Sequence, residues 1–172
     1  DNYNGACFLK NSMGNSIVTR NYLTTNQIGL LADKTDSDLD IFRNEISRNE
    51  NFGVVIFKKI NGEIRENTIT GHTSGIHLGN SSPNIAGNNI SDNLYHGIYI
   101  GAGSLPNMDG TLAGDPPEYY PISGYNTILE NGGTTTGGPI DNDGSEIYFY
   151  SSNALMSEGC NSIYDDRPGG ER

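Results

Sequence analysis

The chain has 172 residues, of which 34% are hydrophobic, 23 are glycine and none is tryptophan, and it carries a formal net charge of −11. That acidic balance argues against nucleic acid and against an anionic membrane surface as partners, and no apolar run approaches the roughly 18 residues of a membrane span. Glycine at about twice ordinary usage, with so little apolar material, points to a narrow core and many corners.

In chain order, the sequence starts at Asp1 inside a coil and without a signal peptide, as a mature or excised piece would. Gly5-Ala6-Cys7-Phe8 matches the last strand of a unit that recurs downstream. A fuller copy runs from Val18 through Asn21, Leu23 and Asn26 to Gly29-Leu30-Leu31-Ala32. Asp33, Asp36, Asp38 and Asp40 then form an acidic loop. From Ile41 the unit repeats in full. Ile41, Asn44, Ile46 and Asn49 precede Gly53-Val54-Val55-Ile56; Ile64, Asn67, Ile69 and His72 precede Gly75-Ile76-His77-Leu78. Ile85, Asn88, Ile90 and Asn93 precede Gly97-Ile98-Tyr99-Ile100. The first Asn recurs after 23 and 21 residues and the Gly after 22 and 22. A fixed period in the twenties marks a solenoid.

Aliphatic residues alternate within each unit and never follow a 3.6-residue period, so each turn holds three short strands. Equivalent strands then pair in parallel one coil apart, about 4.8 Å away, and identical side chains form ladders. The expectation is an all-β parallel β-helix of about six to seven coils of roughly 22 residues, one domain over residues 1–172 and a module of a longer secreted protein. Asn belongs at the corners, where its amide satisfies backbone groups that leave the sheets. The Gly before the third strand is expected to supply a positive φ. His72 stands where other coils have Asn26, Asn49, Asn93 and Asn131, so it reads as a stand-in for Asn.

Past Ile100 the rhythm breaks. Gly101 to Tyr120, with Pro106, Pro116 and Pro117, reads as an irregular insertion, and such insertions leave a solenoid from one face. The period returns at Asn126, Ile128 and Asn131 and again at Asn161 and Ile163, with a glycine-rich excursion from Gly132 to Gly138 between them. Cys7 and Cys160 lie in the first and last coils, too far apart to pair within one chain. A solenoid end exposes strand edges, so a neighbouring protein domain or end-to-end or edge self-association is expected.

These N-x-I-x-x-N and G-I-x-I units resemble the right-handed parallel β-helix repeats of the pectate-lyase-like superfamily, shared by carbohydrate-binding and sugar-hydrolysis domains and by periplasmic copper-maturation proteins. The resemblance covers about Asn21 to Asp166 and speaks to fold, because the repeat is scaffold. The Asp-Pro-His-Glu run of mannuronan epimerases and the paired-Asp and Gly-His-Gly pattern of polygalacturonases are missing.

Alternation locates a candidate site. The middle residue of each third strand points outward, which stacks Cys7, Leu31, Val55, His77 and Tyr99, followed by Asp141 if Ile140 aligns with Ile98. His77 and Tyr99 are the ligand-binding candidates. As an acid and a base they would suit β-elimination on a uronate, with Asp141 as helper and the 101–120 loop over the groove. As ordinary ladder residues, or as a sugar-stacking platform, they need no chemistry. Asp109, Asp115, Asp141 and Asp143 lie on oxygen-rich turns that suit calcium, as does the 33–40 loop. Three scattered histidines without paired cysteines disfavour a copper centre. Arg20, Arg43 and Glu66 share a position before the ladder Asn and form a solvated stripe in which Glu66 can pair with Arg43.

The leading expectation is a non-catalytic extracellular or cell-surface scaffold that contacts polysaccharide or neighbouring domains, without a required cofactor. The competing expectations are a polysaccharide lyase or epimerase acting at His77 and Tyr99, and a subunit of a filament.

Overall fold

The structure is a computed structural model that describes residues 6–10, 14–33, 38–58, 60–108, 126–129, 131, 145–149 and 162–163. Strand β1 (Cys7–Lys10) precedes coils of three strands each. The first is β2 (Ser16–Thr19), β3 (Tyr22–Thr24) and β4 (Ile28–Asp33); the second is β5 (Asp38–Phe42), β6 (Glu45–Ser47) and β7 (Phe52–Phe57). Next come β8 (Asn61–Arg65), β9 (Thr68–Thr70) and β10 (Ser74–Gly79), then β11 (Asn84–Ala86), β12 (Asn89–Ser91) and β13 (His96–Ile100). Strands β14 (Thr127–Leu129), β15 (Ser145–Phe149) and β16 (Ser162–Ile163) follow.

All pairing between these strands is parallel and joins equivalent strands of successive coils. Sheet A runs β1-β4-β7-β10-β13-β15, sheet B runs β2-β5-β8-β11, and sheet C runs β3-β6-β9-β12-β14-β16. Among the described residues, complete coils extend only from β2–β4 to β11–β13, fewer than the six to seven expected. The pattern that defines a coil weakens after Ile100, and the strands beyond it belong to coils whose remaining residues lie outside the described set.

The core is a column of stacked aliphatic rungs. Ile41, Ile64 and Ile85 are in register in sheet B. Ile46, Ile69, Ile90 and Ile128 are in register in sheet C. In sheet A, Val54, Ile76 and Ile98 form one rung and Ile56, Leu78 and Ile100 another. All of these side chains are fully buried. Burying each isoleucine contributes about 1.5–3 kcal/mol, and the parallel register makes every rung repeat the last.

Two corner ladders run beside the core. In one, Asn44 donates its backbone N–H and its Nδ2 to Asn67 Oδ1, both at 3.0 Å, and Asn67 does the same to Asn88. Each Nδ2 also reaches back one coil, as from Asn67 to the Ile41 carbonyl at 2.9 Å. The series extends to Asn126, 38 residues after Asn88, where 21 to 23 separate the earlier pairs. The extra chain is therefore accommodated between two ladder positions without interrupting the ladder.

Three expectations need correction. Gly29, Gly53 and Gly75 do not supply positive φ; a Cβ built on any of them would lie 2.6 or 2.7 Å from the carbonyl oxygen of the glycine in the next coil. Lack of space selects glycine there. Six of the eight left-handed non-glycine residues described occupy the position one residue before a ladder side chain. Arg20, Arg43 and Glu66 occupy it at φ 57°, 56° and 53°, and Thr25, Arg48 and Asp92 at 59°, 52° and 55°. A non-glycine residue held so costs about 1–3 kcal/mol, which the ladder hydrogen bonds offset.

The insertion also begins later than Gly101. Asn107 bridges to Asn84 in parallel, its carbonyl accepts the Ile85 N–H at 2.8 Å, and its own N–H donates to the Pro83 carbonyl. Ser104 and Met108 are fully buried, Met108 within the core. Residues 101–108 thus continue the coil, and residues 109–120 lie outside the described set. Finally, the acidic stretch is not one loop. Asp33 ends β4 and pairs with Lys58 at 2.8 Å, Asp38 and Asp40 belong to β5, and Asp36 lies outside the described residues.

Candidate functional site

Alternation in sheet A buries the flanking aliphatics and turns Val55, His77 and Tyr99 outward, one above the other. The column holds from Leu31 to Tyr99 and departs from expectation at both ends. Phe8 rather than Cys7 faces Leu31, because the first coil is 23 residues long there; Cys7 faces Leu30 and packs against the core. Tyr148 rather than Asp141 faces Tyr99, because Ile147 takes the place opposite Ile98 that was expected of Ile140. Asp141 itself lies outside the described residues, as do Asp109, Asp115, Asp143 and Cys160. Cys7 is a free thiol, and burial pushes its pKa up.

His77 and Tyr99 stack face to face, ring centroids 4.4 Å apart and planes 12° from parallel. This spacing follows the rung spacing of the sheet, since each ring stands on its own strand. Phe52 and Phe57 meet the His77 ring edge-on at 5.3 and 5.7 Å. His96 lies 5.7 Å from Tyr99, and Tyr95 lies 6.4 Å from His96. The rings therefore form one connected strip on the outer face of sheet A. Val55, in the same outward column, is only 3% exposed, while Tyr95 at 41% leaves the strip open at its rim.

Phe52, Phe57, Tyr95 and His96 were not singled out by alternation alone. Phe52 and His96 precede the corner glycines Gly53 and Gly97. Each opens its strand three positions before the outward residue, and its ring reaches the same strip. An aromatic just before the corner Gly was the available signal.

The geometry limits the chemistry. Stacked at 4.4 Å, the two ring faces are turned to each other and admit nothing between them. What His77 and Tyr99 offer a ligand is their edges. Burial, and secondarily the nearby His96, lower the His77 pKa from the ordinary imidazole value, which favours the neutral ring.

His72 is placed as expected, in the second corner ladder between Asn49 and Asn93. It accepts the Asn49 N–H at Nδ1 (3.1 Å), lies 3.0 Å from the Ile46 carbonyl at Nε2, and donates its own N–H to Asn93 Oδ1. Both ring nitrogens are thereby engaged in the scaffold. The expected Arg43–Glu66 pair forms, with Arg65 joining from the neighbouring position and packing over the Phe42 ring.

The sequence was compared with known families and proteins. Residues 1–131 match the family described as the periplasmic copper-binding protein NosD. The chain belongs to the NosD family. No curated protein and no solved structure matches it. The NosD match spans every complete coil among the described residues, and the parallel solenoid agrees with NosD being a right-handed β-helix family.

The copper in the NosD description can be set against the donors present. Among the described residues, no three His, Cys, Asp or Glu side chains gather where they could hold a metal ion. His72 is committed to its ladder through both ring nitrogens, and Cys7 packs against the core. His77 and His96 share a face but lack a third donor. The described residues do not fit a copper centre.

Proposed function

We propose that this NosD-family chain is a non-catalytic module that acts outside the cytoplasm, secreted or at the cell surface, as a rigid scaffold whose sheet A face contacts polysaccharide. The observation that carries the reading is the His77–Tyr99 stack within the ring strip. Stacking holds the rings without the entropy cost that mobile side chains incur on binding. Their edges present hydroxyl and imidazole groups to sugar hydroxyls, and the more exposed Tyr95 offers a ring to a pyranose face. The family's periplasmic description supports the location. Among the described residues, no helix is long and apolar enough to cross a membrane.

The test is retention of the chain on immobilised neutral and uronate-containing polysaccharides, with and without calcium. Tyr99→Ala and Tyr95→Ala should each weaken retention severalfold, while Tyr22→Ala, on the outer face of sheet C, should leave it unchanged. Absence of retention on every glycan, or equal retention by all variants, would remove polysaccharide as the partner.

A further inference from the structure

We infer that His72 is an acid-sensitive joint in the corner ladder: protonation of its ring forces the Asn49 amide out of the ladder and opens the corner between coils. Among the described ladder positions it is an imidazole in a series of amides. Asn26 donates its N–H to Asn49 Oδ1 at 3.0 Å, and Asn49 in turn donates to His72 Nδ1 at 3.1 Å. Asn49 Nδ2 reaches the Leu23 carbonyl at 2.8 Å, and His72 Nε2 reaches the equivalent Ile46 carbonyl at 3.0 Å. The imidazole thus copies both functions of the amide, but only as the neutral tautomer with its hydrogen on Nε2.

An asparagine cannot lose that arrangement by titration, and a histidine can. Once protonated, Nδ1 becomes a donor facing the Asn49 N–H, so the accepted hydrogen bond is lost. The Asn49 carbonyl, 3.2 Å from Nδ1, is positioned to take the new proton instead. The ring then holds two carbonyls and no amide, and the buried Asn49 N–H has no acceptor. The charge gains no counterion. The ring packs among Asn49, Asn93, Ile46 and Gly53. The charged residues of the same corner, Arg48 and Glu50 beside Asn49 and Asp92 beside Asn93, are exposed to solvent.

Burial lowers the His72 pKa, the two carbonyls opposing it only in part. The sign follows directly. The neutral ring is favoured in the fold, so its stabilisation is complete above the ordinary imidazole value of about 6.5. It is lost as pH falls from there toward the depressed folded value, with the unfolding constant rising by up to about tenfold per pH unit. The opening lies two residues before β10, the strand that carries His77.

The experiment uses the full chain and its His72→Asn variant, which restores the consensus amide. Urea unfolding is followed between about pH 7.5 and pH 5.5, a window chosen around the ordinary imidazole pKa. The wild type should lose stability on acidification more steeply than His72→Asn, the difference approaching tenfold in the unfolding constant per pH unit. His77 and His96 are common to both proteins and cancel. Parallel pH profiles would overturn the proposal. Nitrogen NMR of the wild type gives a reading that does not depend on the variant folding. It should find the Nε2–H tautomer, a midpoint below that of free imidazole, and a lower protection factor for the Asn49 amide in acid. An Nδ1–H tautomer or a midpoint at or above the free value would equally overturn it.

Discussion

Gly53 and Gly75 pass so closely that a Cβ on Gly53 would sit 2.7 Å from the Gly75 carbonyl oxygen, 2.7 Å from Ile69 Cγ2 and 2.9 Å from His72 Cδ2. The oxygen belongs to the backbone of the next rung and cannot yield without shifting a coil. Gly53→Ala should therefore destabilise the protein by about 2 kcal/mol or more, the range of overpacked cores. Urea unfolding measures it, and a change within about 0.5 kcal/mol would mean that the coils are not packed so tightly.

The corner ladder predicts a second loss. Asn67 accepts two hydrogen bonds from Asn44 and donates to Ile41 and Asn88, all within the buried corner. Asn67→Ala leaves several buried groups without partners, at about 1–3 kcal/mol each. A total loss near 3 kcal/mol or above is expected by thermal or urea unfolding. A variant as stable as the wild type would show that the ladder is ornamental to the stack.

The opposite sign is expected at Thr25. This β-branched residue holds φ at 59°, and it is exposed, with its hydroxyl bonded only locally to the Thr24 carbonyl. Such a backbone is a genuine outlier for a β-branched side chain. Thr25→Gly should raise stability by roughly 0.5–1 kcal/mol after the added freedom of the unfolded chain is subtracted. A lower midpoint in urea would contradict the strain assigned to this corner.

The fold was readable because its causes repeat with the chain. Ile41, Ile64 and Ile85, and the Asn44, Asn67 and Asn88 series, have the same chemical task on each rung, so period alone aligned them, and it placed His72 correctly among amides. The left-handed corners were not readable. Arg20, Thr25, Glu66 and Asp92 share no chemistry; their conformation is imposed by the ladder residue that follows each. The glycines were located correctly and explained wrongly, since a gap in side-chain volume and a demand for positive φ select the same residue. Past Ile100, counting failed because inserted chain changes the count without changing the rungs. Met108 enters the core although the stretch around it reads as loop, and Tyr148, not Asp141, arrives opposite Tyr99. The ring strip was half readable: His77 and Tyr99 came from alternation, whereas Phe52 and His96 join them from the first position of their strands, out of step with that alternation.

The most direct test of the functional account is to incubate the wild-type chain with soluble uronate-containing polysaccharides and follow both co-sedimentation and the ultraviolet absorbance of unsaturated elimination products. The account predicts binding without product, with binding weakened in Tyr99→Ala. Product that forms with the wild type and disappears in His77→Ala and Tyr99→Phe would contradict it and make the stacked pair a catalytic site.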